Sequence, residues 1–164
     1  MGGDTAFGHR ITAPVINTSA ETIGHVTVWQ GRDALYLDIT VAGLSAGAHG
    51  MHFHEIGRCD ANAEFVSAGG HVDASGRHHG VLHPHGPHDG DLPNLIIPSS
   101  GAVRVNLVHH RVRLDSGPSG LRDADGSALI IHVRRDDGQT PPTGGSGPRA
   151  ACAVIHPDVQ ELTP

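Results

Sequence analysis

Fifteen histidines in a chain of 164 residues make metal coordination the first chemistry to consider, because imidazole is a common protein ligand for zinc, copper and similar ions. His52 and His54 stand two residues apart in GMHFHE. On a strand that spacing turns both rings to one face, within reach of one ion. Alone, the pair fits ordinary surface histidines equally well. His71, His79, His88 and Asp91 follow at intervals of eight, nine and three residues. A loop supplying three imidazoles and a carboxylate can wrap a tetrahedral ion, the geometry typical of zinc. A His-rich segment that chelates metal loosely is the alternative reading. His132 ends the apolar run SALIIH and by itself carries no assignment.

The elements that must position these residues read as short strands. Ile23 to Trp29 and Ala34 to Val41 flank the polar turn Gln30-Gly31-Arg32-Asp33, and Leu35, Leu37, Ile39 and Val41 alternate with polar neighbours; this predicts a hairpin with one buried face. Ile11, Val15 and Ile16 among Thr and Asn suit an edge strand. A histidine-bearing strand follows the turn at Gly43 to Gly47, and then a long loop from Ile56 to Pro93, crowded with Gly, His, Pro and Asp. A loop of that length and composition is more plausibly ordered by metal than structureless. Leu95 to Ile97, Val103 to Val108, Ala128 to Val133 and Ala150 to Ile155 are further apolar runs, the last preceded by a second irregular segment from Asp136 to Pro148. The expectation is an all-β fold: a Greek-key β-sandwich or barrel of about eight antiparallel strands with two long loops building the site. One domain over residues 1–164 suits the length.

Positive charge comes from eleven Arg and no Lys, and the formal net charge of −6 argues against a nucleic-acid or anionic-membrane binder. An anion must be attracted locally. No apolar run reaches the length of a membrane span, and Met1 to Arg10 has neither the basic start nor the apolar stretch of a signal peptide. Cys59 and Cys152 are the only cysteines, so no CxxC redox motif can be written. One long-range disulfide is the natural pairing and implies an oxidising compartment, with two buried free thiols as the other reading.

The segments GMHFHEIGRC, SAGGH, GDLPN, IHVRRDD and GPRAACAVI, with the His79, His88, Asp91 series among them, occur in an order that resembles the copper/zinc superoxide dismutases, over roughly Thr22 to Ile155. GDLPN is similar to the bacterial branch. The resemblance implies copper on His52, His54, His71 and His132, and zinc on His71, His79, His88 and Asp91, with His71 bridging the two. It implies that Asp136 links His52 to His79 from behind, that Arg149 lines the substrate channel, and that Cys59 and Cys152 form the intrachain disulfide. The implied activity is disproportionation of superoxide to oxygen and hydrogen peroxide by copper redox cycling, with His71 supplying a proton and zinc structural. A periplasmic or secreted location and a homodimer are compatible with it.

Departures from the family pattern are Met51 in place of an aromatic, a compact stretch between Cys59 and His71, and a second loop rich in Pro and Gly but poor in charge. The last weakens long-range steering, for which Arg134 and Arg135 partly substitute. His78, His83 and His85 exceed the family's needs; they are read as solvated, with an auxiliary metal site as the minority alternative. His9, His109 and His110 receive no role. The competing function is a dismutase-like protein that stores copper or zinc without turnover, against which intact His132 and Arg149 speak.

Overall fold

The computed structural model describes residues 10–115 and 117–156. The stretch read for a signal peptide, His9 included, lies outside the described residues apart from Arg10. Nine strands are described: β1 (Arg10–Asn17), β2 (Thr22–Gln30), β3 (Leu35–Ala42), β4 (Gly47–His49), β5 (Met51–His54), β6 (Leu95–Ile97), β7 (Ala102–His109), β8 (Ser127–His132) and β9 (Arg149–Ile155). Seven form one curled antiparallel sheet in the order β5-β8-β9-β1-β2-β3-β7, and β4 pairs with β6.

The β2–β3 hairpin matches the alternation in the sequence. Leu35, Leu37, Ile39 and Val41 are buried, opposite Gln30, Val28, Val26 and Gly24 in the register. β1 departs from expectation: it is an interior strand, paired along its length with β2 and at Ile16 and Asn17 with β9. Pro14, which cannot donate a ladder hydrogen bond, lies outside the part that meets β9. The single histidine-bearing strand is also two strands, separated at Gly50. A side chain at that position would run into Ser146 and Asp136, so glycine lets the second irregular segment close over the strand.

Two apolar clusters share β8, whose six residues are all buried. Leu129 and Ile131 face the main core with Phe53, Met51 and the β2–β3 residues. Ala128 and Ile130 face a smaller cluster with Phe65, Ala68 and Cys152. Cys59 and Cys152 are disulfide-bonded with their Cα atoms 5.8 Å apart, which ties the long loop, with its two short 3-10 turns at Ala61–Ala63 and Val66–Ala68, to β9.

The long loop is ordered by backbone pairing along β5. Phe53 N–H donates to Gly90 O (2.9 Å), Val72 N–H to Phe53 O (2.8 Å) and Gly90 N–H to Val72 O (2.8 Å). Isolated bridges join His54 to His71 and His52 to Asp91. The free edge of β5 is thereby covered, and the residues bearing candidate ligands are drawn alongside the His52–His54 pair.

Candidate metal centre

Strand β5 places His52 and His54, β8 ends at His132 beside them, and the bridged loop delivers His71. One ring nitrogen from each of these four lies within 4.8 Å of the others. The bonds made by the opposite ring nitrogens orient the rings. His52 Nε2 bonds Asp136 Oδ2 (2.6 Å), His54 Nδ1 bonds Gly69 O (2.8 Å), and His132 Nδ1 bonds Gly147 O (2.8 Å). The nitrogens left over, His52 Nδ1, His54 Nε2, His71 Nε2 and His132 Nε2, are buried without a hydrogen-bond partner. Four converging buried acceptors with nothing to accept from are costly unless a cation completes them.

His71 also faces a second group. Its Nδ1 lies 2.8 Å from Asp91 Oδ1 and 3.1 Å from His88 Nδ1. His79 Nδ1 is 3.2 Å from Asp91 Oδ2, and His88 Nδ1 is 3.5 Å from Asp91 Oδ1. The tightest convergence, within 4.8 Å, contains His71, His79, Asp91 and His52; His88 adjoins it, less buried than the rest, and the sequence expectation of His88 with His71, His79 and Asp91 rests on these pairwise approaches. Asp91 is fixed by N–H donors from Gly80 (2.9 Å) and His88 (3.0 Å) to Oδ2.

Asp136 joins the two groups from behind: Oδ2 takes His52 Nε2, and Oδ1 takes His79 Nε2 (3.0 Å) and Gly138 N–H (2.7 Å). Gly144, at φ +66°, passes so close that a Cβ would overlap this carboxylate. Asn94 was missed by sequence reasoning: its side chain donates to Asp136 O (2.9 Å) and accepts from Asp136 N–H (2.9 Å). It belongs to GDLPN, but 42 residues separate the pair and no spacing rule reaches that far. His49 was missed too. Its buried ring clamps His132 O (2.7 Å) to Ser45 O (2.8 Å), holding the end of β8.

Protonation states follow from burial and charge. Burial pushes His71 down to about 4 although Asp91 opposes the shift, pushes His132 down to about 3, and holds His54 well below the ordinary imidazole value. These rings are neutral at physiological pH, the form a metal needs. Burial acts the same way on His79, but hydrogen bonds to Asp136 and Asp91 outweigh it and raise that ring to about 9. Burial would raise Asp91 and Asp136, yet their imidazole and backbone donors pull both well below the carboxylate range.

Arg149 begins β9 beside His132 in the β8–β9 register. Its guanidinium donates to Phe65 O (2.7 Å) and Gly69 O (2.5 Å), so it is fixed across the disulfide-tied loop. Its charge is felt at both His54 and His132. A fixed cation beside unpartnered imidazole nitrogens suits a small anion.

Residues 22–155 match the sequence profile of the family described as copper/zinc superoxide dismutase. The chain belongs to that family. A Cu-Zn superoxide dismutase of Caulobacter vibrioides is 40% identical over 147 residues, covering 88% of this chain and 84% of the relative, and one from Aquifex aeolicus is 38% identical, covering 88% and 85%. Among solved structures, a SOD-like protein from Bacillus subtilis superposes with TM-score 0.84 at 33% identity, covering 92% of this chain and 99% of that one. The Cu/Zn superoxide dismutase from Brucella abortus gives TM-score 0.71 at 28% identity, covering 89% and 99%. This dismutase is therefore an oxidoreductase that uses copper and zinc and takes superoxide as substrate. The storage reading is not favoured.

Proposed function

We propose that copper is held by His52 Nδ1, His54 Nε2, His71 Nε2 and His132 Nε2, and zinc by His71 Nδ1, His79 Nδ1, His88 Nδ1 and Asp91. The observation that carries the copper assignment is the set of four buried imidazole nitrogens without hydrogen-bond partners. The zinc assignment is supported by the one carboxylate of Asp91 at 2.8, 3.2 and 3.5 Å from three imidazole nitrogens. Bound copper supplies the one-electron exchange that disproportionates superoxide, while zinc is redox-inert and organises the loop.

The chain's own residues do the rest. Arg149 draws the anion in and orients it, its guanidinium held still by two carbonyls. His71 is the catalytic proton carrier: in the phase of the cycle when Nε2 is not serving as a metal ligand it would hold a proton facing the arriving anion, while Nδ1 stays on the side of Asp91. Two superoxide anions and two protons give one oxygen and one hydrogen peroxide, so this ring supplies one of the two protons and solvent supplies the other. Asp136 fixes the tautomers of His52 and His79 by accepting their Nε2 protons.

We further read the whole chain as one domain, supported by β8 contributing to both apolar clusters. A periplasmic or secreted location is supported by the disulfide and the bacterial relatives. The assignments are tested by reconstituting with copper and zinc and collecting anomalous diffraction at both edges. Copper among His52, His54, His71 and His132, with dismutation lost in the zinc-only form and in His132→Ala, is expected. Either metal in the other group, or turnover surviving both controls, overturns the reading.

A further inference from the structure

Three of the chain's histidines stand together outside the centre just described. His78 immediately precedes the candidate zinc ligand His79, and His83 and His85 lie between His79 and His88, with His78 and His85 exposed and His83 half-buried. The turn that carries them is closed by its own backbone. His78 N–H donates to His85 O (3.0 Å), His83 N–H to Gly80 O (3.2 Å) and Gly86 N–H to His83 O (3.0 Å), while Leu82 N–H anchors the turn to Gly138 O (2.9 Å). The three rings therefore project from one fixed scaffold.

Their separations match those of a coordinating set. Ring centroids are 4.6 Å apart for His78 and His83, and 6.0 Å for both His78 with His85 and His83 with His85. In the converging group of His52, His54, His71 and His132, the ring pairs stand 4.0, 6.1, 4.9, 4.8 and 5.8 Å apart. The outer trio falls inside that range. Its nitrogens do not yet converge within 4.8 Å as the inner groups do. His78 and His83 are stacked at 13°, and His83 Nδ1 accepts the His85 N–H at 3.0 Å. Bringing three nitrogens onto one ion requires rotation of the exposed His78 and His85 and the half-buried His83, and release of that one exposed bond. That bond is exposed to solvent, so water can replace it when the ring turns.

We propose that His78, His83 and His85 form a third, solvent-facing site for a divalent transition metal, Zn(II) or Cu(II), with water filling the remaining positions. An all-imidazole donor set selects these ions over magnesium or calcium, which prefer oxygen. An ion there cross-links the two limbs of the turn, one leading directly into His79 and the other to His88.

The test uses protein reconstituted with copper and zinc, freed of loose metal and titrated with Zn(II) by calorimetry. The chain is expected to take up one equivalent more than the His78→Ala/His83→Ala/His85→Ala variant, half-saturating at free zinc on the order of 10 μM. A His25→Ala/His110→Ala variant, which removes two exposed histidines elsewhere, is expected to keep the extra equivalent. The comparison is between variants, so it stands whatever the inner groups hold. Circular dichroism of the triple variant checks its fold, and His83→Ala alone repeats the test with less disturbance. Equal uptake by chain and triple variant, or loss of the extra equivalent in the His25/His110 variant, overturns the proposal.

Discussion

At the scale of single residues, Asp136 is constrained from two sides, because its two oxygens accept from rings that belong to different candidate metal groups. An amide of the same shape can accept from one ring only, and turns its –NH2 toward the N–H of the other. Asp136→Asn is therefore expected to lower metal affinity about 10- to 100-fold while leaving the strands intact; competition with a chelator measures the first and circular dichroism the second, and unchanged affinity would count against the linking role. The metal-free chain carries a pH signature of the same residues. His79, raised to about 9, contributes stability that is present below its unfolded value near 6.5 and lost as pH rises toward 9. His71 and His132, lowered to about 4 and 3, act in the opposite sense: their contribution is present above about 6.5 and is lost as pH falls. Melting temperature of the metal-free protein is expected to peak near neutrality and decline on both sides. A steady rise up to pH 9 would sink the assignment of a charged His79.

At the scale of elements, the disulfide joins β9 to the loop whose carbonyls hold Arg149. Cys59 and Cys152 are 93 residues apart, and a crosslink closing so long a loop stabilises by about 2–5 kcal/mol. Cys59→Ser with Cys152→Ser is expected to lose stability in that range in denaturant unfolding. It should also lose turnover at temperatures where it is still folded, because Phe65 O and Gly69 O are then free to leave the guanidinium; full activity in the folded variant would separate the bond from the site. How much of this was legible depends on sequence distance. The β2–β3 hairpin was, because alternation is local and Leu35 to Val41 face a core on one side only. β6 to β9 were also legible as short apolar runs. The interior place of β1 was not, since its pairing with β9 joins residues more than a hundred positions apart and its own pattern, broken by Pro14, resembles that of an edge. The candidate ligands were legible through spacing and family resemblance, whereas Asn94 and His49 act by hydrogen bonds to distant backbone, for which the sequence carries no local sign.

At the scale of the whole molecule, an anionic substrate meets a chain of formal net charge −6, so the sign of the field near the site decides the encounter rate. Charges more than about 10 Å away are largely screened at 0.1 M salt, which leaves the local cations to compete with the overall repulsion. Arg149 is one. Arg134 is another: it is exposed, and its guanidinium lies against Gly147, whose carbonyl accepts from His132 Nδ1. Arg135 lies instead along a groove with Val81, Leu82 and Val108, on the side of Asp91 and Asp136. Local attraction should therefore dominate, with Arg134 contributing more than Arg135. Dismutation at limiting superoxide is expected to slow as salt rises. Arg134→Gln should slow it several-fold at low salt, with the difference shrinking toward high salt, and Arg135→Gln should change it less. A rate that rises with salt would mean that the net negative charge governs the approach and that the arginines act only after contact.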